Sequence, residues 1–371
     1  MTGGSGELKR SPPVDQGPPT LEQVAALTGV SRATVSRVVN GSPGVSPVVR
    51  SQVERAVAKL GYVPNRAARS LVTRRADSVA LVVSEPHARF FSEPFFAGMV
   101  RGVSAVLSEA GVQLLLLIAQ DLTDRPGDHP GGPPEPPGRG RLERYVVGGH
   151  VDGVLLASLH GDDPLPAALE RAGVPAVLVG RPSARGGPPV DRAQTSYVDA
   201  DNRGGARMAV AHLAARGRRR IATITGPLDM GVGLDRLDGY RDGLATAGLA
   251  ADPVLAEPGD FTEEGGAAAT ARLLARPGPP IDAIFAASDL MAAGALRALR
   301  AAGRRVPEDV AVVGFEDSAV ARYAQPPLTT VRQPIEEMGR QATRLLLAKV
   351  AGEAGGMHLI LDVDLVERAS T

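Results

Sequence analysis

The spacing of apolar residues changes character once along the chain. From Thr20 to Leu60 they recur at helical intervals: Leu21, Val24 and Ala25 with Leu27 or Thr28, then Val35, Val38 and Val39, then Val49, Val53, Ala56, Val57 and Leu60. Each set makes one apolar stripe, so three short amphipathic helices are expected. Local start and stop signals agree with that spacing. Thr20-Leu-Glu-Gln23 reads as a capping box, and Gly29 closes the first helix at about Thr28. Ser31 caps a second helix running to about Asn40, and Ser46-Pro47 opens a third that Gly61 ends.

After Ala76 the pattern becomes one of apolar runs of strand length alternating with amphipathic stretches. Strands are expected at Ser78 to Val83, Val112 to Ala119, Gly153 to Ala157, Ala176 to Gly180, Arg220 to Thr225, Ala283 to Ala287, Val310 to Gly314 and Leu359 to Val366. Helices are expected, for example, at Phe95 to Ala110, Asp201 to Arg216, Leu290 to Ala302 and Ile335 to Val350. Repeated strand–helix units imply parallel sheets covered on both faces, and the length favours two sheets over one. Arg125 to Arg141 reads as a Pro/Gly-rich solvated loop, and residues 1–19 as a tail with too little apolar surface to order.

Charge separates the same two regions. The 371 residues sum to zero, yet Thr20 to Arg75 hold nine basic residues against two acidic ones, a net +7. A basic head on an acidic body suits a protein that docks one end on phosphate. The absence of cysteine excludes disulfides, thiolate nucleophiles and thiolate metal sites. The N-terminus lacks the apolar core of a signal peptide, and Val112 to Ala119, the longest apolar run, is far too short to span a bilayer. The expected location is therefore the cytoplasm, with no membrane partner. The six histidines show no metal-ligand spacing, no nucleophile elbow or phosphate loop occurs, and Gly231-Val-Gly233 is too weak for a nucleotide fingerprint. Neither an enzyme nor a cofactor is expected.

Two helices joined at Gly29 make a helix-turn-helix, with the small Ala25 where they cross. Such a motif lays its second helix in the major groove. Arg32, Ala33 and Arg37 then face base edges, where arginine donates two hydrogen bonds to guanine, while Ser31, Thr34, Ser36 and Asn40 meet the backbone. The alternative is a plain three-helix bundle with solvated arginines.

Residues 20–75 favour the first reading. Through VAALTGVS, ATVSRVVN, GYVPN and ARSL they resemble the DNA-binding head of the LacI/GalR (lactose-repressor) family, and the resemblance continues through nearly all of the remaining chain. It implies a hinge over 65–76, with Asn65, Arg66 and Ala68 near DNA and Leu71 inserted into the minor groove as a wedge. The alternative for Leu71 is a small core beneath a surface helix.

The resemblance further implies the fold: a small all-α helix-turn-helix head (20–64) and an α/β body (77–371) of two Rossmann-like lobes, similar to periplasmic sugar-binding proteins. The lobes are expected at about 77–198 with 317–335, and at about 199–316 with 336–371. Ligands of such sheets lie beyond the carboxyl ends of strands. Arg236 matches an effector-binding arginine of the family, and Glu316 stands where aspartate is usual. Ser288, Asp289, Gln333 and the aromatic Phe95, Phe96 and Phe261 match further cleft positions. Each has a plainer alternative: Arg236 could pair with Asp235 or Asp238, Glu316 and Asp289 could cap helices, and the phenylalanines could be core.

The function implied is ligand-responsive transcriptional regulation, as a repressor of a sugar-utilisation or related catabolic operon. Its partners would be a palindromic operator and a sugar or sugar derivative. The family's tetrameric member carries an extra apolar heptad segment after its final strand and none follows Asp364 to Thr371 here, so the resemblance implies a homodimer rather than a tetramer. A stand-alone sugar carrier and an α/β hydrolase are the competing classes. The first conflicts with the head, and the second lacks a clustered nucleophile and base.

Overall fold

The computed structural model describes residues 18–63, 75–118, 138–161, 163–182, 195–353 and 355–371. Residues 1–17, Asn65, Arg66, Ala68, Leu71 and most of the Pro/Gly-rich segment lie outside that set. The chain divides into two compact units, Met1–Ala76 and Asp77–Thr371, each described by itself.

The head contains α1 (Leu21–Thr28), α2 (Arg32–Val39) and α3 (Pro47–Leu60). Thr20 and Gln23 form a reciprocal capping box, and the hydroxyls of Ser31 and Ser46 accept from the backbone N–H three residues on. Gly29 takes φ 67°, the left-handed turn that ends α1. Val24, Val35, Val38, Val53, Ala56 and Tyr62 close a core belonging to the head alone. The stripe of α1 ends on Thr28 rather than Leu27: the Thr28 hydroxyl donates to the Val24 carbonyl at 2.8 Å, whereas Leu27 is exposed.

In the body, strands β1 (Ser78–Val83), β2 (Gln113–Ile118), β3 (Gly153–Ala157), β4 (Ala176–Val179) and β5 (Ser196–Ala200) come first. Strands β6 (Ile221–Thr225), β7 (Ala256–Pro258), β8 (Ala283–Ala286), β9 (Ala311–Glu316) and β10 (Thr329–Arg332) follow, and β11 (His358–Leu361) and β12 (Asp364–Val366) close the chain. The helices are α4 (His87–Ser92), α5 (Pro94–Ala110), α6 (Gly138–Val147), α7 (Leu165–Arg171), α8 (Asn202–Ala215), α9 (Gly231–Thr246), α10 (Glu263–Ala275), α11 (Asp289–Ala301), α12 (Ala319–Tyr323) and α13 (Ile335–Val350).

The strands form two six-stranded sheets, ordered β11-β5-β4-β3-β1-β2 and β12-β10-β9-β8-β6-β7. All pairings are parallel except β10 with β12. Burial on both faces explains why β1, β3 and β6 are uninterrupted buried runs. Both sheets reverse strand order after their first strand, between β1 and β3 and between β6 and β8, which makes two switch points. Close helix contact supports the first lobe: a Cβ on Gly102 of α5 would sit 2.0 Å from the Glu336 carbonyl oxygen of α13.

Three expectations are corrected. The lobes expected for 317–335 and for 336–361 are exchanged, because β10 pairs with β9 in the second sheet, while α13 packs on α5, β3, β4 and β5 of the first and β11 pairs with β5; β12 lies in the second lobe as expected. The single strand expected at Leu359 to Val366 is two strands in different sheets, separated at Asp362-Val363. The chain therefore crosses between lobes three times, after β5, after β10 and after β11. Finally, the last residues of the Arg125 to Arg141 segment are not loop, since α6 begins at Gly138.

Candidate functional site

On the head, α2 presents Arg32, Ala33 and Arg37 to solvent, with Val35 and Val38 turned into the core. The Arg37 side chain makes no hydrogen bond or ion pair among the described residues, while its carbonyl accepts from the Ser42 N–H at 2.8 Å. Arg32 pairs with Glu22 of α1 at 3.1 Å, both side chains being well exposed. The Ser31 hydroxyl accepts from the Thr34 N–H and lies 2.9 Å from the Thr34 hydroxyl, and the Asn40 amide donates to the Ser36 hydroxyl at 3.2 Å. These small groups fix the ends of α2, leaving the two arginines as its projecting donors.

In the body, loops leaving the carboxyl ends of strands in both sheets converge on Arg236. This arginine lies on α9 and is only 3% exposed. Its Nε donates to Asn202 Oδ1 at 2.9 Å, one Nη to the Ala287 carbonyl at 2.5 Å and the other to Gln333 Oε1 at 3.2 Å. The guanidinium also stacks 3.7 Å from the centroid of Phe315. Asn202 begins the first inter-lobe crossing and Gln333 lies on the second, so a single side chain ties both crossings together. Asn202 donates in turn to Asp199, which receives Arg181 at 2.8 Å. The two sequence neighbours first considered for Arg236 go elsewhere: Asp235 faces Arg181 at 3.2 Å, and Asp238 accepts from Arg241.

Glu316 ends β9 with φ 111°, a conformation that disfavours any side chain bearing Cβ. Its carboxyl has no hydrogen-bond partner among the described residues. Burial and the neighbouring Asp289 charge hold it well above the usual carboxylate range, against the pull of Arg236. Burial lowers Arg236 to about 10. Phe261 carries φ 66° and has the guanidinium carbons of Arg89 and Arg236 at 5.4 and 5.9 Å from its ring centroid. Arg89 comes from the first lobe and also pairs with Glu85 at 3.0 Å and Glu93 at 2.6 Å. Burial raises the Glu93 carboxyl.

The structure thus gathers Arg236, Glu316, Gln333 and Phe261. Phe95 is half-buried beside Phe96, 5.4 Å between centroids. Three expected cleft residues are engaged by the fold itself. Phe96 is 1% exposed in the first lobe's core against Phe90. The Ser288 hydroxyl caps α11 by accepting from the Met291 N–H. Asp289 is fully buried, with one carboxylate oxygen accepting from the Thr330 hydroxyl at 2.6 Å and the other from the Ser318 N–H at 2.7 Å; burial raises it to about 6.

Sequence reasoning missed Glu85, Arg89, Glu93, His160, Asn202 and Asp229. Three of these, Glu85, His160 and Asp229, follow β1, β3 and β6 within a short loop, and that position was the available signal. Among the described residues no group of three or more His, Asp or Glu side chains is placed to hold a metal, and no helix is long and apolar enough to cross a membrane.

Comparison with known proteins adds an independent line. Residues 20–65 match the family model for bacterial regulatory proteins of the lacI family, and residues 210–371 match a periplasmic binding protein-like domain. The HTH-type transcriptional regulator CelR of Thermobifida fusca is 55% identical over 354 residues, spanning 95% of this chain and 98% of that protein. The solved transcriptional regulator CelR–cellobiose complex is 52% identical, covers 95% of this chain and all of that one, and superposes with a TM-score of 0.72. A lac repressor dimer bound to operator and the anti-inducer ONPF is 28% identical, covers 96% of this chain and 99% of that one, and gives a TM-score of 0.78.

Proposed function

This chain belongs to the lacI family of bacterial regulatory proteins; it is a ligand-responsive, sequence-specific DNA-binding transcriptional regulator, and we propose that its effector is a disaccharide of the cellobiose class. The observation that carries this reading is the unpartnered Glu316 carboxyl beside the buried Arg236 fork, with the buried Phe261 ring 5.9 Å from the guanidinium. A carboxyl and guanidinium side by side suit the hydroxyl pairs of a pyranose, and an aromatic face suits its C–H surface. The second cluster, Arg89 and Glu93, gives polar groups for a second ring, and the 52% identical CelR solved in complex with cellobiose points to the same ligand class.

Ligand held between the lobes acts where Arg236 joins the two crossings. Any shift of the lobes is then passed to the segment that joins body and head. The proposed target is a palindromic operator read by a homodimer, since one head spans a half-site. Arg32, Ala33 and Arg37 would meet bases, with Ser31, Thr34, Ser36 and Asn40 on the backbone. Asn65, Arg66, Ala68 and Leu71 would act in a hinge. The regulated genes would be those of sugar utilisation, with the protein a repressor acting in the cytoplasm and catalysing no reaction.

Titration calorimetry on the full chain tests the effector class. Cellobiose should bind at least about tenfold more tightly than glucose or ribose, a difference of about 1.4 kcal/mol. Equal or tighter binding of ribose, or no heat with cellobiose, would overturn it.

A further inference from the structure

His160, in the loop after β3, presents both ring nitrogens to carboxylates. Nε2 lies 3.1 Å from Glu85 Oε1, in the same lobe, and Nδ1 lies 2.9 Å from Asp229 Oδ2, in the loop after β6 of the other lobe. A neutral imidazole has one N–H, so one of these contacts would set a lone pair against a carboxylate oxygen. Only the doubly protonated ring donates to both. The backbone reinforces the junction, since the Gly161 N–H donates to the Asp229 carbonyl at 3.0 Å. Glu85 is 2% exposed and is braced on its far side by Arg89, itself paired with Glu93. The histidine is therefore anchored to its own lobe by a buried acid and reaches across to the other through an exposed one. The contact joins the loops after β1 and β3, at the switch point of the first sheet, to the loop after β6 of the second.

We propose that His160 and Asp229 form a proton-charged clasp that holds the lobes closed over bound effector, so that effector affinity rises as pH falls. His160 is a positioning residue here, acting through lobe closure, and the inference rests on the reading of the cleft as the effector site. The charged groups facing the ring are Glu85 and Asp229, with Arg89 behind Glu85. Hydrogen bonding to Glu85, joined by that to Asp229 and opposed by burial, raises the His160 pKa. Opening the lobes keeps the Glu85 contact and removes Asp229, so the open form holds the proton less tightly. Closure is therefore favoured at low pH and is lost as pH rises through the closed-state value.

Two measurements on the full chain without DNA test the clasp. In calorimetry with cellobiose, the wild-type Kd should weaken about tenfold between mildly acidic and mildly alkaline pH, the factor for a one-unit difference in His160 pKa between closed and open forms. D229N and H160Q should bind more weakly at low pH and lose that slope. Proton NMR then follows the His160 ring without ligand, its resonance identified by its loss in H160Q. The ligand-free lobes exchange between open and closed forms, so the midpoint should lie above the ordinary histidine value, rise further with cellobiose and fall in D229N. A D229N protein that keeps the wild-type pH slope overturns the clasp, as does a His160 midpoint that D229N leaves unmoved. If cellobiose binds at no pH, the effector assignment fails and the ligand-free titration still decides the clasp.

Discussion

An Arg236→Ala protein should lose its response to cellobiose, with ligand affinity falling by two orders of magnitude or more. The side chain is buried, and its removal strands the acceptors of Asn202, Gln333 and Ala287. It also leaves Glu316 and Asp289 without the guanidinium that offsets their charge. Truncating one member of a buried charged network typically costs about 3–5 kcal/mol. Thermal unfolding of the body should therefore come earlier as well. Arg236→Lys separates the two effects, because a lysine keeps the charge but a single ammonium cannot fork to three acceptors. That variant should fold and still bind cellobiose poorly. Cognate DNA binding should persist in Arg236→Lys, because the head closes its own core. Near wild-type cellobiose affinity in Arg236→Lys would return Arg236 to a purely structural role.

The second large effect is expected at Arg37. It projects from α2, and no described residue engages its side chain. Arg37→Ala should weaken cognate-site binding by about 1–3 kcal/mol, relax specificity at one base pair, and reduce non-specific binding much less. Arg32→Ala should cost less, since Arg32 must first give up its pairing with Glu22 in reaching for a base. Fluorescence anisotropy on cognate and scrambled duplexes reads both. An equal loss on the two duplexes would make Arg37 a phosphate contact.

Legibility in the sequence followed how local each cause is. The head was readable almost to the residue, because capping side chains and left-handed glycines act within a few positions of the ends they define. In the body, β1, β3 and β6 were readable as buried apolar runs. Strands β5 (SYVDA), β7 (AEP) and β10 (TTVR) were not, since their polar and short sequences become strands only by pairing with distant neighbours. Missing β10 misplaced a crossing and with it the lobe that holds α13. Arg236 was found by resemblance, but its partners were not. Residues one before and two after it on a helix do not share its face. Its real partners stand 34, 51 and 97 positions away, the first and last of them at the two crossings.

The most direct measurement is of reciprocity. A palindromic operator selected from random duplexes is titrated with the full chain, with and without saturating cellobiose, and cellobiose is titrated with and without that operator. Coupling through Arg236 and the crossings predicts that each ligand changes the other's affinity by the same factor, about tenfold or more. Operator affinity unchanged by saturating cellobiose, on a chain shown to bind it, would contradict that coupling.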